Sequence, residues 1–326
     1  MGSKAAAVIL PSASWTKPMF RSWFVEALSI ASILALLLGT VLTQETVAAD
    51  MMKGTHYTIE FDTRDRATAE QVGEVIDSSW NGVARAVGAD VESSPVRVIV
   101  ARSLDEFREL TGGQTERWIL GVAVHPGSLI IVKPPRLVPN PLTNLEETVK
   151  HELTHVMLAR VSNPENVPRW LNEGIAMRVS GEMRTKADWM IAGAIVRGAL
   201  IPIDKLDERF PASHEGASLA YAESLSVVDY LADTCGQEGL QKLLRSLQHE
   251  SFDNALATNL RLDIYTLSER WVRSVRISPY VITFVASFIA FWIMTALVII
   301  GFVRKRRLGL RKKREWELEE TLREDL

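Results

Sequence analysis

His151-Glu152-Leu153-Thr154-His155 lies inside Val149-Lys150-His151-Glu152-Leu153-Thr154-His155-Val156-Met157, and this stretch decides how the chain is read. Val149, Leu153, Val156 and Met157 recur at helical spacing, so the segment is a partly buried helix. Positions i and i+4 share a helix face, so His151 and His155 can aim two imidazoles at one point. Two histidines on such a helix need polar partners, and a metal ion serves both. Glu152, one position along, can reach a water held there. Two neutral imidazoles with a carboxylate that is not a ligand are what a hydrolytic zinc site requires.

A catalytic zinc takes three protein ligands and keeps a fourth position open. The acidic candidates downstream are Glu165, Glu173 and Glu182. Glu173 is preferred. It follows His155 by 18 positions, and Ser162-Asn163-Pro164 supplies a turn between them, so a helical hairpin can face it toward the histidines. Asn172 beside it is a candidate for orienting a ligand or for capping a helix.

Outward from this point, the chain divides by hydropathy. It has 326 residues, 47% of them apolar, and a formal net charge of −3. That suits one ordinary core plus membrane elements, and the near-neutral balance argues against a nucleic-acid surface. Cys235 is the single cysteine, which excludes an intrachain disulfide; it reads as a structural thiol near a helix end. Tyr280 to Val303 carries no charge over 24 residues and is long enough to span a bilayer. Arg304-Lys305-Arg306-Arg307 and Arg311-Lys312-Lys313-Arg314 follow, which marks residues 304–326 as a cytoplasmic tail, basic and then acidic. The tail is expected to be a short surface helix or disordered, and its basic half to signal topology or bind anionic lipid. Ala27 to Thr43 is a second uncharged segment, preceded by Lys17 and Arg21 and followed by Val47-Ala48-Ala49. Residues 1–49 therefore read as a signal peptide or an uncleaved anchor. Either places residues 50–276 outside the cytoplasm, with a cell-membrane location.

Within 50–276, strands are expected at His56–Phe61, Val96–Val100, Leu120–Val124 and Leu129–Val132, the last two joined by a turn through His125-Pro126-Gly127-Ser128. Helices are expected at Ala67–Val87, from Ser103 to Gly112, Asn144–Val161, from Pro168, and then at Lys186–Gly198, Ser218–Thr234, Gln237–Gln248 and Leu267–Val275. Strands early and helices late predict an α+β domain with the site on helices behind a small sheet.

His151-Glu152-x-x-His155 followed by Asn172-Glu173-x-x-Ala176 resembles the gluzincin metallopeptidases, and more closely the small bacterial domains called peptidase MA-like. Trp170-Leu171-Asn172-Glu173-Gly174-Ile175-Ala176 is similar to that group's second motif. Ala220-Tyr221-Ala222-Glu223-Ser224 is similar to a third, followed by Val227 to Leu231, the Gly236 break and a closing helix with Trp271. The likeness covers about residues 90 to 275. It implies zinc held by His151, His155 and Glu173, Glu152 as general base, and Tyr221 near the developing oxyanion. Tyr230, His214 and His125 are weaker candidates for that last role. The implied activity is hydrolysis of peptide bonds in a peptide or protein substrate; the competing reading is an inactive binding or scaffold module at the membrane. The catalytic domain runs almost directly into Pro279 and the span, so substrates near the bilayer surface are expected. By fold analogy, the strand at Gly121–Val124 can receive an extended peptide. Substrate identity and oligomeric state are not encoded in any motif.

Overall fold

The structure is a computed structural model that describes residues 49–113, 120–124, 128–138, 144–210 and 214–324. The Ala27–Thr43 segment and the turn residues 125–127 lie outside the described residues.

Five strands form one mixed sheet: β1 (Asp50–Lys53), β2 (Tyr57–Phe61), β3 (Val96–Val100), β4 (Gly121–Val124) and β5 (Leu129–Val132). Their order is β1-β2-β3-β5-β4. β2, β3 and β5 are parallel, and the two edge strands β1 and β4 run antiparallel to their neighbours. β3 shows the period of two: Val96, Val98 and Val100 are buried while Arg97 points to solvent. β1 is an addition to the strands expected from sequence. Its four residues alternate only weakly, and it gains its place by pairing Asp50–Lys53 against Phe61–Thr58.

Helix α1 (Arg66–Val87) connects β2 to β3 and buries Val72, Ile76, Trp80, Val83 and Val87. It stops at Gly88, whose φ of 79° is the left-handed conformation that closes a helix with least strain in glycine. Helix α2 (Leu104–Leu110) starts at Ser103, whose side chain accepts from the Glu106 N–H.

The remaining helices are α3 (Leu145–Val161), α4 (Arg169–Ser180), α5 (Arg184–Arg197), α6 (His214–Ser246), α7 (Phe252–Leu260), α8 (Ile264–Arg276) and α9 (Pro279–Glu324). α3 packs against α1 and β4 on one side and α4 on the other; α4 in turn packs on α6. The two helices expected at Ser218–Thr234 and Gln237–Gln248 are both present as the two arms of α6, which meet at Gly236, where φ 71° and ψ 171° are not helical. α7 is a further addition; it buries Phe252, Ala255 and Leu256. α8 closes the domain through Trp271, fully buried, whose Nε1 donates to Ser226 Oγ at 3.0 Å. Cys235 is half-buried, its thiol donating to the Leu231 carbonyl, and burial pushes its pKa up, as suits an unreactive thiol. α9 carries the apolar run and continues as helix through the charged tail to Glu324. Within its Pro279–Arg314 portion an 18-residue stretch has a mean hydropathy of 2.4, so the helix is long and apolar enough to cross a membrane.

Candidate metal centre

Asn144 caps α3 by accepting from the Glu147 N–H, and Glu146 and Glu147 occupy the first turn, where negative charge favours the helix dipole. Val149, Leu153, Val156 and Met157 are buried toward the core. This rotation leaves His151 and His155 on the face toward α4, their rings 4.7 Å apart edge to face. The connection to α4 is short and tied down: the Asn163 N–H and the Asn166 Nδ2 both donate to the Leu247 carbonyl. α4 opens at Pro168, which offers no side-chain acceptor. Asp207, from a distant segment, supplies one by accepting from the N–H groups of Arg169 and Trp170 at 3.2 and 2.9 Å. α4 then lies against α6 at Gly174, where a Cβ would sit 2.5 Å from the Ser224 carbonyl oxygen and 2.7 Å from Val228 Cγ2. The close approach requires glycine.

These packings bring Glu173 to the histidines. Glu173 Oε2 lies 3.5 Å from His151 Nε2 and 3.8 Å from His155 Nε2, and one ligand atom from each of the three lies within 4.8 Å of the others. Bonds of about 2.0–2.1 Å to a tetrahedral zinc would separate ligand atoms by about 3.3 Å, so these groups need only a small inward movement to fit one. Of the other acidic candidates, Glu165 is exposed on the loop. Glu182 occupies the turn after α4 and reaches the far side of His151, with Oε2 2.8 Å from Nδ1. This is a close charge contact rather than an aligned hydrogen bond. Asn172 Oδ1 lies 2.9 Å from His155 Nδ1. An N–H donated there leaves the His155 Nε2 lone pair facing Glu173.

The electrostatics suit a cation. Burial opposes charge on Glu173, but His151 and then His155 outweigh it and hold the carboxyl down to about 2. Burial likewise disfavours a positive His151, yet Glu173 and Glu182 raise its pKa well above the ordinary value.

Glu152 is buried and accepts from the Ala123 N–H of edge strand β4 at 2.7 Å. β4 approaches this closely because of Gly121: a Cβ there would meet Thr148 Cγ2 at 2.9 Å and Glu152 Cγ at 3.1 Å. Tyr221, on α6, stacks edge to face on Phe210 at 5.1 Å, and Arg169 lies over the Phe210 ring, its Cζ 4.7 Å from the centroid. Burial and then the Glu173 charge push the Tyr221 hydroxyl up to about 12, against a smaller downward pull from Arg169. Tyr221 therefore feels the same carboxylate as the histidines. Tyr230 packs against the main core; His125 and the His214 side chain lie outside the described residues. Sequence reasoning missed Asp207 and the Ala123 N–H. Neither carries a local signal, since both act across long sequence separations.

A small mixed sheet whose edge strand runs along a His-Glu-x-x-His helix, with the next helix returning a glutamate, is a gluzincin-like metallopeptidase fold. The chain belongs to the Peptidase MA superfamily, whose sequence model matches residues 83–277, more than half of its length. No curated protein matches it by sequence. Among solved structures it is similar to native yeast LTA4 hydrolase, with a TM-score of 0.41, 12% identity, and coverage of 68% of this chain and 38% of that one. A second structure, native leukotriene A4 hydrolase from Saccharomyces cerevisiae, gives a TM-score of 0.40 and 12% identity, covering 72% of this chain and 38% of that one. The chain thus spans well under half the length of these neighbours.

Proposed function

We propose that this chain is a membrane-anchored zinc peptidase whose domain at residues 50–276 faces away from the cytoplasm. The observation that carries this reading is the convergence of His151 Nε2, His155 Nε2 and Glu173 Oε2 beside the buried carboxylate of Glu152. The two imidazoles and Glu173 would hold the ion, with Asn172 and Glu182 fixing the imidazoles from behind. Zinc, when bound, supplies a Lewis acid and a water of pKa about 7.

The chain's own residues do the rest. Glu152 accepts the water proton as general base and passes it to the departing amine nitrogen as the carbon–nitrogen bond breaks. The Ala123 N–H steadies the carboxylate at 2.7 Å for both transfers. Tyr221, kept protonated by a pKa of about 12, donates a hydrogen bond to the developing oxyanion. The outer edge of β4 receives the substrate backbone as an added strand. The substrate is a peptide or protein presented near the bilayer.

The test uses the full chain in detergent. About one zinc per chain by elemental analysis, lost in His155→Ala and Glu173→Ala, is the expected result. Glu152→Gln should keep the metal and lose cleavage of a peptide library. No zinc after reconstitution would overturn the reading. Zinc without cleavage by the wild type would leave a metal-holding scaffold in its place.

A further inference from the structure

α5 leaves the metal centre at Glu182 and ends against the start of the apolar helix. Its Trp189 ring packs on Tyr280 and Phe284 of α9, with centroids 6.5 and 6.1 Å apart, and Val281 is buried beside it. The depth of these contacts follows from α9 itself. The basic block at Arg304 fixes one hydrocarbon boundary, and about 20 residues of helix cross the 30 Å core. Counting back places the other boundary near Thr283 and Phe284. Trp189 is therefore at the level of the bilayer interface, where tryptophan is enriched.

The exposed face of α5 has the matching composition. Trp189 is 43% exposed and Val196 50%, although both are large and apolar. Lys186 and Arg197 are exposed as well. At about 100° per residue the four side chains share an arc of about 100° on the helix. The end of α8 meets the other side of α5, where Ile195 and Gly198 line the same cleft as Arg276, and leads into the start of α9. Arg273 and Arg276 are exposed in the last turn of α8, and Ile277, the next residue, is 72% exposed. None of these four cations forms an ion pair with a described residue. Aromatic and aliphatic groups flanked by free lysine and arginine are the composition of a helix lying in a lipid interface.

We infer that α5 is an interfacial membrane element: Trp189 and Val196 enter the upper acyl region, while Lys186 and Arg197, with Arg273 and Arg276 beside the start of α9, contact lipid phosphates. The catalytic domain then rests on the bilayer through a second surface, in addition to its tether. This inference depends on α9 spanning the membrane, as in the reading above, and is independent of whether the metal centre is catalytic.

The experiment places single fluorophores on the full chain in phosphatidylcholine–phosphatidylglycerol vesicles, using a Cys235→Ser background. Labels go on Trp189→Cys, Val196→Cys, Met51→Cys and Ile293→Cys, and quenching is read with nitroxide lipids of known depth. Labels at 189 and 196 should be quenched by shallow nitroxides, at about 5–10 Å below the headgroups, and the label at 51 should not. Val196 is 50% exposed and lies seven residues beyond the Trp189 ring contacts, so its label is read in a chain that keeps Trp189 on α9. Quenching at 293 with none at 189 and 196 beyond that at 51 would overturn the inference. Absence of quenching at 293 would overturn it together with the spanning reading.

Discussion

His151 sits between two carboxylates, Glu173 at Nε2 and Glu182 at Nδ1, and His155 between Glu173 and the Asn172 amide. Asn172 sets the tautomer of His155 and the Glu182 charge raises the basicity of His151, so Glu182→Gln and Asn172→Ala are each expected to weaken zinc binding about 10–100-fold. Competition against a chelator of known affinity checks this, with circular dichroism showing an unchanged fold. Glu223 makes a separate prediction. It is fully buried on α6, both its oxygens lie 3.1 Å from the Ile201 nitrogen, and burial raises its carboxyl from the ordinary 4.5 to about 8. The folded state thus favours the protonated form. Its contribution to stability is complete below about 4.5 and is lost as the pH climbs through about 8. Glu223→Gln, neutral throughout, should flatten the fall in melting temperature across that window; an unchanged slope would show that other groups cause it.

At the scale of elements, the site depends on two backbone approaches that only glycine allows. Gly174→Ala would drive α4 from α6 against a carbonyl oxygen 2.5 Å away, and Gly121→Ala would press on Thr148 and Glu152. Each is expected to cost about 1–3 kcal/mol by denaturant titration. Gly174→Ala should also weaken zinc binding, because Glu173 moves with α4. Asp207→Ala removes the cap of α4 and should cost about 1 kcal/mol. The ligand helices were legible because their signals are local: a five-residue motif, helical periodicity, Asn144 at one N-terminus and Pro168 at the other. β1 was not, because a short edge strand exists only through its neighbour. The break within α6 was legible as well, because Gly236 reads as a stop and its backbone leaves the helical conformation there. Glu182 was recognised as acidic and within reach, yet which face of His151 it meets is set by the Gly181 turn and could not be read from spacing.

At the scale of the whole molecule, α9 is 46 residues long, about 69 Å, more than twice the hydrocarbon thickness. Its charged portion continues as helix beyond the apolar run, where a short separate helix or disorder was expected. The Gly181–Met183 turn links the metal centre to the lipid-facing helix, since Glu182 touches His151 and α5 begins two residues later. Trp189 is seven positions beyond Glu182, about 10 Å of helix. With α5 lying in the lipid interface, that spacing runs along the membrane surface and keeps the metal centre beside it. Longer stalks dilute the site only gradually. In a series of membrane-tethered peptides, cutting read by mass spectrometry should be strongest for short stalks and fall as the stalk lengthens, so the position of the scissile bond would be chosen by height above the membrane as well as by side chain.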